Sequence, residues 1–328
     1  MGLSPDFHAA IINITKYLPP AQRWIVAFEP KYHSRLVADL ATCLGGTCEL
    51  LRLGQDTPER VQHVAAEYRD DPRYAFLEFQ VCDGELTRGG INYHDALALF
   101  WNWTEDRLRL FFDVTDNNVG ILFSESPRLI ERRCLRMREK LSTCRTLTFR
   151  SQAGSNISID CSAVEWHAYT GFAPLEYTLP SGEVACAPVS VDGELYVEGW
   201  IVGTIPFGIK YGPIFQDALR FSFRAGSIVR VDGEFPALCR DVEHVLDRIP
   251  ALREVVEVGF GQSRAVSQAA KDCEVGCDWH ERHFGLHLGL GATLPVNTIS
   301  RRKTDHHLDI VLRRGRVVNE YGSMVMRW

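Results

Sequence analysis

The stretch Arg23-Trp24-Ile25-Val26-Ala27-Phe28, with Lys31–Leu44, Gly45-Gly46 and Cys48–Leu53 behind it, decides how the fold is read. A short apolar run predicts a strand. Lys31–Leu44 then reads as a helix that Gly45-Gly46 stops, and Cys48–Leu53 is strand-like again. The same alternation continues outward. A helix follows Ser4-Pro5, because Pro at the first helical position is preorganised, and runs to about Tyr17. Thr57-Pro58-Glu59 opens another helix and Tyr74–Phe79 forms a strand. Leu108–Asp113 and Val119–Phe123 read as further strands, before a helix from about Pro127 to Leu141. Strands alternating with helices of this length imply a mostly parallel sheet covered on both faces. No GxGxxG follows any of these strands, nor does GxxxxGK with Ser or Thr, which argues against a phosphate-cradling loop.

Beyond about Leu141 the texture changes. Short β-rich runs take over at Arg145–Ser151, Asn156–Cys161, Glu194–Val202 and Ser222–Val231, with Gly, Pro and Asp between them. Asp192-Gly193 and Asp232-Gly233 fit hairpin turns. One helix, roughly Leu238–Ile249, intervenes. The expected class is α/β in two domains: residues 1–144 form an α/β domain with a mostly parallel sheet, and residues 145–328 an α+β domain.

At 328 residues the chain exceeds the usual size of a single core. Its 45% hydrophobic and 24% charged content is that of a globular protein. A net charge of −6 argues against a nucleic-acid partner, which needs a basic stripe. The Arg-rich run from Arg128 to Arg138 reads as a solvated helix face. Asp6, His8 and Lys16 exclude a secretory signal from the first residues, and no apolar run reaches membrane-spanning length. The 10 cysteines include no C-x-x-C pair, and Cys273-Glu274-Val275-Gly276-Cys277 is the closest spacing. Scattered thiols favour a reducing, cytoplasmic setting.

Four segments of the second half could carry chemistry. In Leu179-Pro180-Ser181-Gly182-Glu183-Val184-Ala185-Cys186-Ala187-Pro188, a turn delivers Glu183 to the start of an apolar strand, or leaves it in solvent. In Val255-Val256-Glu257-Val258-Gly259-Phe260-Gly261, Glu257 interrupts an apolar strand. It either points to water from an edge or needs a compensating charge or metal, since a bare buried carboxylate is costly. In Asp278-Trp279-His280-Glu281-Arg282-His283, the histidines are one residue short of the H-E-x-x-H spacing that would place both on one helix face. A strand, Phe284–Leu290, follows, and His287 emerges from it as either a hydrogen-bonded core residue or a ligand. In Asp305-His306-His307-Leu308-Asp309, residues i and i+2 of a strand share a face about 6.6 Å apart. His307 and Asp309 can therefore converge on one ion.

In this order the four segments resemble the aminopeptidase T (thermophilic metallopeptidase) family, whose fold also includes iron-dependent dihydroxypyridine ring-cleaving dioxygenases. The first resembles the family's Leu-Pro-x-Gly-Glu-Val-x-x-Ala-Pro and the second its Glu-Leu-Gly-x-Gly. Phe284–Gly291 is similar to Gly-Thr-Val-His-x-Ala-x-Gly, and His307-Leu308-Asp309 to His-x-Asp. The resemblance implies that Glu183, Glu257, His287, His307 and Asp309 bind two divalent metals (zinc, cobalt or manganese), with Glu257 bridging, and that the chain forms a homodimer. Two departures stand out. Leu294 occupies the family's tyrosine position, and His280 stands near its acidic segment, where it is a candidate catalytic residue.

Three functions follow as expectations. The first is a metal-dependent hydrolase acting on a peptide or related amide through a dinuclear site. The second is a non-haem iron(II) dioxygenase using His307, Asp309 and one more histidine, His287 or His280. The third is a peptide-binding protein of a modified-peptide pathway that has lost catalysis. The expected partner is a peptide or small-molecule substrate, with no membrane.

Overall fold

The computed structural model describes residues 5–45, 47–81, 93–101, 103, 107–172, 176–215, 217–292 and 304–328. The chain is a mixed α/β protein that divides into two compact units. One comprises Met1–Ile130 with Thr170–Ser181, and the other Glu131–Tyr169 with Gly182–Trp328. The change of texture near residue 145 falls inside the second unit.

The first unit holds a five-stranded parallel sheet of β1 (Arg23–Phe28), β2 (Thr47–Arg52), β3 (Tyr74–Gln80), β4 (Leu108–Phe112) and β8 (Thr178–Leu179), in the order β2-β1-β3-β4-β8. β1 is buried from Trp24 on and β3 from Tyr74 to Phe79. Burial on both faces is why they read as continuous apolar runs rather than alternating ones. The helix Pro30–Leu44 begins on proline and ends where Gly45 turns left-handed at φ 60°. The next helix, Pro58–Tyr68, is capped by the Thr57 hydroxyl, which accepts the Arg60 amide. Phe76 stacks on Phe100 with centroids 3.8 Å apart, at the middle of the core. Val119–Phe123, expected as a strand, is instead a short helix, Val119–Leu122. The Asn118 side chain accepts the Thr115 amide, closing the turn that starts it, and Val119 and Leu122 bury one helical face.

The second unit holds two antiparallel sheets. Seven strands make the first: β5 (Thr146–Arg150), β6 (Asn156–Asp160), β10 (Ser190–Tyr196), β12 (Arg220–Arg224), β13 (Ser227–Asp232), β17 (Arg316–Asn319) and β18 (Met324–Arg327), ordered β13-β12-β10-β6-β5-β17-β18. Both expected hairpin turns lie elsewhere. Asp192-Gly193 sits inside β10, where a Cβ at Gly193 would collide with the Asn156 carbonyl of β6, so this glycine permits close strand approach. Asp232-Gly233 ends β13 and leads into the helix Pro236–Arg248. The turn of the β12–β13 hairpin is Ala225-Gly226, both at positive φ, 50° and 78°. Glu194–Val202 is likewise two strands in different sheets, because the chain breaks at Val197-Glu198.

The second sheet of this unit has six strands: β7 (His167–Tyr169), β9 (Glu183–Cys186), β11 (Gly199–Gly203), β14 (Val255–Gly261), β15 (Gly285–Gly291) and β16 (His307–Leu312), ordered β11-β16-β15-β14-β9-β7. Its register sorts side chains into two unlike faces. Ile201, Ile310, Leu288, Val258 and Cys186 form one row across the sheet, and Leu290 and Leu308 extend that apolar face. It closes against Val242, Val245 and Leu246 of the helix Pro236–Arg248. The other face carries the glycines, acids and histidines. Alternation with period two, resumed at Glu257 after a register shift in β14, produces this division.

Among the described residues, no helix is long and apolar enough to cross a membrane.

Candidate metal centre

Glu257, Gly289 and Asp309 lie side by side on β14, β15 and β16. A residue with no side chain therefore separates two carboxylates, and the gap is filled by an imidazole. A Cβ at Gly289 would stand 2.8 Å from both Glu257 Cβ and His307 Cε1. The next row repeats the device, with Gly259 between His287 and Ala185. A Cβ at Gly259 would strike the His287 ring and come within 2.5 Å of Glu183 Oε1. Glycine at these two positions makes room for polar side chains to lie flat over the sheet.

The side chains converge. His287 Nε2 is 2.7 Å from Glu183 Oε1 and 3.6 Å from Glu257 Oε1. His307 Nε2 is 3.2 Å from Asp309 Oδ1, while its Nδ1 faces the Ala292 carbonyl at 2.6 Å. A proton on Nδ1 donated to that carbonyl leaves the Nε2 lone pair available to an ion. Arg282 Nη1 reaches Glu183 at 2.5 Å and Glu281 at 2.7 Å. Two donor sets share His287: Glu183, Glu257 and His287 form one, and Glu281, His287 and Asp309 the other, each with ligand atoms within 4.8 Å of one another.

Burial makes this cluster electrostatically demanding. Glu183, Glu257, His287 and Asp309 are each at most 3% exposed. Desolvation and the neighbouring Glu183 push the Glu257 carboxyl up to about 6. Asp309 and Glu183 go the other way, to about 2, because His307 and Arg282 respectively overcome their desolvation. Burial pushes the half-buried Glu281 well up. Without an ion, desolvation of the imidazoles is outweighed by the carboxylates, so His307 rises to about 10 and His287 well above the ordinary histidine range.

A divalent cation fits these residues on two observations. Glu183 Oε1, Glu257 Oε2 and His287 Nε2 are buried and have no hydrogen-bond partner among the described residues. The 2.7 Å approach of His287 to Glu183 is thus an ion-pair distance without hydrogen-bond alignment. Such orphaned atoms are costly, and a shared cation satisfies them together. In addition, if the imidazoles are neutral, as ligation requires, the two donor sets hold four carboxyl groups, and among the described residues the guanidinium of Arg282 pairs with two of them, Glu183 and Glu281. Imidazole and carboxylate donors suit iron(II), manganese(II) or zinc(II).

Glu183, Glu257, His287, His307 and Asp309 therefore stand on one face of one sheet. Glu281 and Arg282 join them, although the sequence offered only the shortened histidine spacing around them. His280 belongs to neither donor set. Its ring is 4.4 Å from that of Trp200 and 4.1 Å from that of Trp279, and Nδ1 meets the Cys277 backbone at 2.9 and 3.0 Å. Leu294 lies outside the described residues.

The backbone has a full-length counterpart. The chain is similar in structure to 2,5-dihydroxypyridine dioxygenase from Pseudomonas putida. The likeness has a TM-score of 0.61 at 16% sequence identity and covers 98% of this chain and 96% of that one. At this identity it is a likeness of fold. No family model and no curated protein sequence matches the chain.

Proposed function

We propose that the protein is a metal-dependent enzyme, and that its first reading is an iron(II) dioxygenase acting on a small hydroxylated aromatic compound. The observation that carries it is the arrangement around Asp309, which shares a donor set with His287 and lies 3.2 Å from His307 Nε2. Two imidazoles around one carboxylate are the donors of a facial triad with open positions. The substrate class is taken from the full-length fold neighbour, a dioxygenase of 2,5-dihydroxypyridine. Iron(II) in such a triad supplies oxygen chemistry that side chains lack.

The chain's own contribution is positional. His307 is oriented by the Ala292 carbonyl, and Arg282 fixes Glu183 and Glu281 so that their charges do not repel an anionic substrate. The apolar face of the sheet keeps the strands rigid beneath these groups.

A second reading is the metal-dependent hydrolase acting on a peptide or related amide. The surplus of carboxylates favours it: Glu183, Glu257 and Glu281 exceed what one triad needs, and a dinuclear site uses bridging carboxylates. The resemblance of the four segments to aminopeptidase T points the same way, with zinc, cobalt or manganese as the metal.

One experiment separates the readings. The protein is loaded anaerobically with iron(II), then given oxygen and a panel of dihydroxylated pyridines and benzenes. Zinc-, cobalt- and manganese-loaded samples are given aminoacyl amides. Substrate-dependent oxygen uptake is expected, and it should disappear in His307→Ala. Hydrolysis without oxygen uptake replaces the first reading by the second. Peptide binding by protein that takes up no metal removes both, leaving the peptide-binding reading.

A further inference from the structure

On the polar face of the six-stranded sheet, Trp200 borders a hollow of about 570 Å³ that is lined by none of the candidate ligands. Trp200, Phe284 and Trp328 give it aromatic walls. Arg264, Lys271, Arg313 and Arg314 line it as well, and among the described residues no Asp or Glu side chain does. In a chain of net charge −6 this is a local reversal of sign. An adjoining hollow of about 340 Å³ shares Arg314 and Trp328, and adds Arg150, Arg316 and Arg327 against the one acid, Glu198. Glu198 pairs with Arg314 at 3.2 Å, leaving the local balance strongly positive.

The cations and aromatic rings are built together rather than scattered. The Arg313 guanidinium lies 5.9 Å from the centre of the Trp200 ring, and that of Arg264 lies 5.3 Å from Phe284. His283, 8% exposed, also lines the hollow, with its ring centre 6.1 Å from that of Trp200. Converging cations in a low-dielectric concavity concentrate anions, and aromatic walls select those with an apolar body.

We propose that this hollow is a binding site for an organic anion: a carboxylate or phosphate attached to a flat apolar body. The body lies against Phe284 and Trp328, and the anionic group faces Lys271, Arg313 and Arg314. The site is separate from the metal cluster and does not depend on which reaction occurs there.

The test is calorimetric titration of the full-length protein at low salt with two matched pairs. Adenosine monophosphate is compared with adenosine, and phenylacetate with phenylacetamide. At least one anion is expected to bind about 10-fold or more tightly than its neutral analogue, and to weaken as salt shortens the Debye length below about 10 Å. The pair that discriminates identifies phosphate or carboxylate as the preferred group. Lys271→Glu and Arg314→Glu, both at solvent-facing positions, should each weaken that anion by about 10-fold, with thermal melts checking that the fold is intact. The proposal is overturned if neither anion outbinds its neutral analogue. It is equally overturned if binding survives both charge reversals, or disappears in Asp309→Asn, which would place the ligand at the metal cluster. The wild-type comparison decides even if a variant misfolds.

Discussion

Glu78, in the parallel sheet, and Glu257, in the six-stranded antiparallel sheet, are equally deep in the protein, at 0% and 1% exposure, yet they answer burial differently. Glu78 accepts from Trp101 Nε1 at 2.7 Å and from the Gln80 amide, and desolvation raises its carboxyl to about 7. Neutral donors and protonation are enough. Glu257 stands among two histidines and further carboxylates, and one of its oxygens has no donor among the described residues. An isolated buried acid is a structural element that stays neutral when it can. A buried acid held beside other acids is a cost the fold retains only where a cation balances it.

Several substitutions break or sharpen that contrast, in descending effect on metal binding. Asp309→Asn should lower metal affinity by more than the ~10–100-fold that loss of an outer-shell partner alone causes, as read by elemental analysis after dialysis. Glu78→Gln should leave metal content unchanged in the same assay. If both variants lose metal equally, the distinction between the two carboxylates fails.

Gly289→Ala comes next. Its methyl group would press on Glu257 and His307. It should cost about 1–3 kcal/mol of stability by overpacking and weaken metal binding about 10-fold by shifting a ligand. Leu288→Ala, one residue away but on the apolar face, should cost about 2–5 kcal/mol through the cavity it leaves while metal stoichiometry stays the same. Melting curves and metal content of the pair together test whether the two faces are independent.

The pH response of the chelated protein has a definite sign. The folded state raises His307 from 6.5 to about 10, so its contribution is fully present below pH 6.5 and is lost as pH rises through about 10. Asp309 and Glu183, lowered to about 2, contribute above their ordinary values of 3.8 and 4.5 and cease to do so as pH falls through about 2. The melting temperature of metal-free protein should therefore decline on the alkaline side, and bound metal should flatten that decline because a ligating Nε2 carries no proton. The smallest effect is Glu78→Gln itself. Glu78 stabilises fully below its ordinary 4.5 and loses that contribution as pH rises through about 7, so the variant should lose a shallow slope in that window.

Much of this was legible in the sequence, for reasons that differ by region. β1 and β3 announced themselves as apolar runs because both faces of a parallel sheet are covered. In β16, period-two alternation placed His307 and Asp309 on one face, whereas Glu257 and His287 were joined to them only by the resemblance of the four segments to aminopeptidase T. What it could not give was register. That Gly289 falls between Glu257 and Asp309 follows from the pairing of distant strands. Arg282 and Glu281 were hidden for the same reason, since they reach the cluster from a 3₁₀ turn that carries no pattern. The errors were local. Val119 and Ile121 look like strand residues but lie in a short helix that follows the turn closed by Asn118, and Asp192-Gly193 looks like a turn where the glycine admits a neighbouring strand.

The most direct measurement is anaerobic calorimetric titration of chelated protein with iron(II), repeated in buffers of different ionisation enthalpy. Saturable uptake with release of protons from His287 and His307 is the predicted result, and it should be absent in Asp309→Asn. No uptake by natively folded protein, or uptake unchanged in that variant, would contradict the account.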